Sequence, residues 1–175
     1  MPLITRMWEV SGPKIQAIDA RCTHDDPSPV FTVEGRYRAQ GWTEWTRGFQ
    51  HGAALLQYDA TGDESFLELG RARTMGDMPG HLTHVGVHDH GFNNVSTYGT
   101  LLRLVREGRA DPGDAAMCEV ALRASGAVQA SRWTAIKPMG GDAGSGYIHS
   151  FNGAQSLFVD TIRSCRSLAV GHGLG

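Results

Sequence analysis

Hydrophobic residues recur along most of this chain at helical spacing, and the runs are punctuated by glycine, proline and aspartate. Between Trp45 and Ala60, the residues Phe49, Ala53, Leu56 and Ala60 fall on one helical line, and Thr61-Gly62 supplies a C-terminal stop. Asp63 is placed to cap a second helix, with Phe66 and Leu69 inward, that runs to about Met78 before Pro79-Gly80 breaks it. The same order returns downstream. Phe92 to Glu107 reads as helix, Gly108 stops it, Asp111 caps, and Pro112 opens a helix reaching about Gln129. Two helical hairpins follow, repeating at about 45 residues, in the range of helical-hairpin arrays.

The flanking stretches are less regular. Gly12-Pro13 interrupts the apolar spacing of Ile4 to Ala20, which predicts a short helix only from about Pro13 onward. Arg21 to Glu44 carries Asp25-Asp26-Pro27-Ser28-Pro29 and Gly35, residues that favour turns, and reads as one long loop, either a surface connection or a functional one. Ala130 to Gly153 reads as a glycine-rich loop in which Tyr147 to Phe151 forms at most a short extended piece. Gln155 to His172 would open a third hairpin, including a helical run over Ser156 to Ile162, with no second helix after Gly173-Leu174-Gly175. Hairpins bury their faces against neighbours, so self-association or a further C-terminal half is expected to cover the face left open. The expected fold is all-α, in a single domain over residues 1–175.

Composition narrows the partners. With 41% hydrophobic residues and a net charge of -2, the chain has no electrostatic case for nucleic acid or an anionic membrane. Cys22, Cys118 and Cys165 are widely spaced and suit neither a disulfide framework nor a zinc knuckle. Met1 to Ala20 lacks a signal pattern, and no window approaches the ~20 apolar residues of a membrane span, so a cytoplasmic location is expected.

Candidate chemistry lies in His84-Val-Gly-Val-His88-Asp89-His90-Gly91, which crowds three histidines round one carboxylate. Asp89 has three readings: an N-terminal cap of the helix near Phe92, an acid or base fixed by His88 and His90 with Gly91 allowing close substrate approach, or part of a metal set with His84 and His88. A second carboxylate, Asp160, shares a narrow helical stripe with Ser164, Ser167 and Gly171. Leu157, Phe158, Thr161, Ile162, Cys165, Leu168 and Ala169 form the broad apolar face beside it, and Arg163 and Arg166 take the outer face. The stripe lines a ligand pocket or is a solvated edge. Trp45, at a helix start, is either core packing or an aromatic platform.

Taken in order, Trp45-Thr-Arg-Gly-Phe49, Tyr58-Asp-Ala-Thr-Gly-Asp63, His88-Asp89-His-Gly-Phe92, Ser150-Phe-Asn-Gly153 and Phe158-Val-Asp160-Thr161 resemble the unsaturated glucuronyl hydrolases of glycoside hydrolase family 88. The resemblance runs from about Gly41 to the end and matches the N-terminal half of that family's (α/α)6 barrel. It implies hydrolysis of lyase-generated oligosaccharides by hydration of the C4–C5 double bond of an unsaturated uronic acid, with no metal or other cofactor. On this resemblance Asp160 is the general acid and base, Asp89 the second essential carboxylate, and Trp45 and His88 substrate-binding residues. A desolvated, protonated Asp160 beside an ionised Asp89 would meet the chemical demand. The related unsaturated rhamnogalacturonyl hydrolases share fold and aspartates, and a non-catalytic helical-repeat module would hold the two carboxylates far apart. Departures from the family pattern are His90, Ser164 and the glycine-rich loop Gly140 to Gly146.

Overall fold

The computed structural model describes residues 2–22, 28–39, 41, 44–136 and 144–175. It is mostly helical and falls in the all-α class. The turn expected at Asp25-Asp26-Pro27 and most of the Gly140 loop lie outside the described residues.

The first hairpin forms as its stops and caps dictate. Helix α2, Thr46–Thr61, ends at Gly62, whose φ of 73° is a left-handed cap that glycine adopts without a Cβ clash. Asp63 accepts the Ser65 backbone N–H at 3.0 Å and starts α3, Glu64–Asp77, which ends in a short 3₁₀ turn at Pro79–His81. In the second hairpin, Gly91–Gly99 is wound as a π-helix that continues into α4, Thr100–Arg106. After Gly108, Asp111 accepts the Gly113 N–H, and α5 runs Ala115–Ala130.

Side chains staple these elements together. Arg71 pairs with Asp114 through both carboxylate oxygens, and Arg103 and Arg109 converge on Asp59. The core between the hairpins is Leu55, Tyr58, Phe66, Met78, Tyr98, Leu101, Leu104, Cys118 and Leu122.

Four expectations are corrected. Helix α1 runs unbroken over Pro2–Arg21 with Pro13 inside it. Packing overrides the local breaker: Gly12 lies against the Phe66 ring and Gln57, Ser11 donates to Gln57 Oε1 at 2.6 Å, and Arg73 holds Asp19 through two hydrogen bonds. The loop before α2 contains a hairpin, β1 Phe31–Val33 with β2 Arg36–Arg38, turned at Glu34-Gly35. A second hairpin pairs β3, Trp133–Ala135, with β4, Gly146–Ile148, the extended piece expected from Tyr147.

The third correction concerns α2. Phe49 and Leu56 point outward, and the buried face is Arg47, Gly48, His51, Gly52, Leu55 and Tyr58. A Cβ on Gly48 would stand 2.3 Å from Asn93 Cα, and one on Gly52 would stand 2.5 Å from the Ser96 carbonyl oxygen, so the two glycines let α2 lie directly on the π-helix backbone.

The fourth concerns the segment bearing Asp160. Residues 155–160 are not helical; α6 spans only Thr161–Ser164 and α7 spans Arg166–Gly173. Ser164 and Ser167 are fully buried and Gly171 packs on Gly126 of α5, so the small-residue stripe faces the protein. Of the apolar face expected beside it, Thr161 is buried and Cys165 and Leu168 are half-buried, but Leu157, Phe158 and Ile162 stand in solvent, as does the neighbouring Val159.

Candidate functional site

Asp89 and Asp160 meet at His88. The segment 84–89 reaches this position without helical structure, because its backbone is held from outside. Arg132, buried at the end of α5, donates from its guanidinium to the carbonyls of Val85, His149 and Ser150, clamping this loop to the one that follows β4. His90 completes the brace. Its Nε2–H donates to the His84 carbonyl at 2.9 Å, so its Nδ1 accepts from Ser125 Oγ, which in turn accepts from Asn94 Nδ2 at 2.9 Å. Burial keeps His90 neutral by lowering its pKa.

The Asp160 side arrives by helix crossing. Gly91 donates its N–H to Ser164 Oγ at 3.1 Å, and a Cβ on Gly91 would stand 2.6 Å from Ser164 Cα. The close approach that Gly91 permits is therefore that of α6, not of a substrate. Arg163 N–H donates to the Asp160 carbonyl at 2.9 Å, placing Asp160 at the first turn of α6.

The resulting geometry is compact. His88 Nε2 lies 3.2 Å from Asp160 Oδ1 and 3.6 Å from Asp89 Oδ1, and one ligating atom from each of the three residues falls within 4.8 Å of the others. His88 is 1% exposed and packs on the Phe151 and Phe158 rings, with centroids at 6.0 and 6.5 Å, the two phenyl rings touching each other at 5.1 Å. Its buried Nδ1 has no hydrogen-bond partner among the described residues. A histidine that ligates a metal through one nitrogen ordinarily donates its other N–H to an acceptor. With none at Nδ1, the tautomer that suits this pocket carries its proton on Nε2, between the two carboxylates. His84 and His90 stand outside the cluster, so the metal set suggested by the four-residue spacing of His84 and His88 does not form.

The two carboxyls differ in environment. Asp89 is buried, and its pKa rises to about 6, chiefly through desolvation, with the charges of Asp160 and Glu44 adding to the rise and those of His88 and Arg132 opposing it. The Asp160 side chain is 47% exposed. The division expected from sequence is thus reversed: the desolvated member is Asp89. Capping is also excluded as its role, since no side chain caps the π-helix. The two carboxylates lie together at one place in the fold rather than apart.

Trp45 packs edge-on against Phe49 at 5.7 Å and against Phe92 at 6.1 Å, with 41% of its surface exposed, so it is both packed and available. Sequence reasoning assigned no role to Glu44, Arg132, Phe151 or Phe158. Phe151 and Phe158 stood in the motifs beside the predicted residues, whereas the lone Arg132 carried no spacing signal. The chain matches no protein-family model, no curated protein and no solved structure. No helix among the described residues is long and apolar enough to cross a membrane.

Proposed function

We propose that this chain is a glycoside hydrolase of the unsaturated uronyl type, with its helical hairpins forming part of an (α/α)6 toroid and Asp89 and Asp160 as the catalytic pair. The observation that carries this reading is the convergence of two carboxyls of unlike burial on one histidine nitrogen. One buried and one solvent-facing carboxyl within a few ångströms can hold a single proton between them near neutral pH, the arrangement that acid and base chemistry at one site requires.

In the proposed reaction a proton passes from the pair to C4 of the unsaturated uronate, and positive charge develops at C5 beside the ring oxygen. Water adds at C5 from the open side, where Asp160 faces solvent, and its lost proton returns to the pair. The hemiketal so formed opens and releases the neighbouring sugar, leaving the pair as it began. His88 keeps its Nε2 proton throughout and holds the two carboxylates in register. Trp45 offers an aromatic face to the saccharide.

The test is optical. Wild-type protein should remove the absorbance of the conjugated uronate in lyase-generated disaccharides, and Asp160→Asn or Asp89→Asn should lower kcat/KM by about 100-fold or more, the scale of a lost general acid or base. Equal turnover by wild type and Asp160→Asn would remove Asp160 from the mechanism, and absence of turnover by wild type would remove the reaction.

A further inference from the structure

A groove runs beside the carboxylate cluster, between α2, the π-helix and the α6–α7 segment, enclosing about 510 Å³. Its floor is apolar and partly aromatic, formed by Phe49, Leu56, Phe92 and Val95, and its rim carries Arg163 and Arg166. No carboxylate of the described residues lines it. Neither guanidinium has an ion-pair or hydrogen-bond partner among the described residues, and both are exposed, whereas Arg71, Arg73, Arg103 and Arg109 are all engaged with aspartate. The end formed by Gly91 and Arg163 lies within three residues of each carboxylate of the cluster, and Phe92 leads from the groove to Trp45.

We infer that this groove binds the saccharide units on the leaving side of the scissile bond, and selects units that bear a carboxylate or sulfate. The inference rests on the uronyl hydrolase reading and adds what that reading leaves open, the charge of the sugars beyond the reacting one. A sugar ring presents an apolar face, which Phe49 and Phe92 can cover, and an acidic substituent, which a planar guanidinium can hold through two hydrogen bonds. The volume falls in the range of small-ligand sites, roughly 300 to 1,000 Å³. Charge complementarity singles out an anion, because the groove offers cations and no internal anion to neutralise them.

The experiment measures binding apart from turnover. Asp160→Asn protein is titrated calorimetrically with an unsaturated tetrasaccharide carrying a second uronate on the leaving side, and with a neutral saccharide of equal length. Adding Arg163→Gln and Arg166→Gln should weaken the acidic ligand about tenfold, spare the neutral one, and flatten the salt dependence of binding. Both arginines are exposed, so circular dichroism and the melting temperature should be unchanged. Arginine-dependent binding in a protein that shows no turnover would uphold the groove and defeat the reaction. Turnover by wild type with arginine-independent binding would defeat the groove alone. Equal arginine-dependent binding of a polyglutamate peptide would overturn the saccharide assignment.

Discussion

Replacing Gly91 by alanine is expected to cost about 3 kcal/mol of stability and to separate the two carboxylates. The added methyl would stand 2.6 Å from Ser164 Cα and 2.7 Å from the Arg163 carbonyl oxygen, both backbone atoms that no rotamer change can move aside. Overpacking of this kind costs roughly 1–3 kcal/mol, and rigid backbone neighbours place it at the upper end. Relief requires α6 to lift from the π-helix, which also breaks the hydrogen bond from Gly91 N–H to Ser164 Oγ. Because Asp160 stands at the first turn of α6, it moves with that helix away from His88. Gly48→Ala is the control. Its methyl strikes the Asn93 backbone on the other side of the π-helix and leaves the α6 seat intact. Urea unfolding should show comparable losses for both variants, while turnover per folded molecule should collapse only in Gly91→Ala. Retained turnover in Gly91→Ala would mean that this crossing does not position Asp160.

The same crossing explains which parts of the fold could be read from sequence. Helix ends were legible because their signals are local: Gly62 needs positive φ, Asp63 and Asp111 satisfy free N–H groups, and Pro79 opens the short 3₁₀ turn where α3 stops. Helix faces were not legible. An apolar stripe marks the buried side only when side chains fill the interface, and here several interfaces are closed by backbone against backbone. Gly48 and Gly52 on the π-helix, and Gly126 against Ser167 and Gly171, bury small residues, and Asn93, Asn94, Thr97, Ser125, Ser164 and Ser167 fill the remaining space with internal hydrogen bonds. A hydropathy wheel therefore turned the Asp160 segment the wrong way, and the apolar line of α2 faces outward at Phe49 and Leu56. The π-helix carries no signature in composition; its residues satisfy helical periodicity.

The site divides along the same line. His88 and Asp89 stood out in a short cluster of ionisable residues and Asp160 as a lone carboxylate in a small-residue stripe, and the structure brings the three together. Their electrostatics were not legible, because desolvation depends on what covers a group. Asp89 sits in the segment that Arg132 clamps, and nothing local at Arg132 announces that it binds three carbonyls far away in sequence. Placing Asp160 inside a helix also overestimated its burial. It stands instead at a helix start, after a segment whose side chains, from Leu157 to Val159, are open to solvent.

Acidification is expected to destabilise the protein steeply between pH 6.5 and 4, through two buried histidines remote from the carboxylate pair. His51 and His81 are each lowered to about 4 from 6.5, first by desolvation. The Arg47 charge lowers both further, Arg73 also lowers His51, and His51, His84 and His90 lower His81. Asp77 and Asp19 oppose this at His51. A depressed histidine pKa means that the unfolded chain binds protons first as pH falls. Stability is thus full above pH 6.5 and declines through the window down to 4, by roughly 3 kcal/mol for each histidine. Burial lowers His90 as well, which adds to the same sign. Asp89 acts oppositely. Its pKa is raised to about 6 from 3.8, so the folded state takes the proton first and gains roughly 3 kcal/mol over a similar window, offsetting one of the two histidines. The net expected loss is about 3 kcal/mol, a large share of the 5–15 kcal/mol that holds most domains folded. Urea titrations at steps from pH 7.5 to 4.5 measure it. Asp89→Asn should raise stability at pH 7.5, where the ionised buried carboxylate is most costly, and steepen the acid loss by removing the offset; His51→Gln should flatten it. Stability that is level across this range, or Asp89→Asn no more stable than wild type at pH 7.5, would contradict the assigned charges.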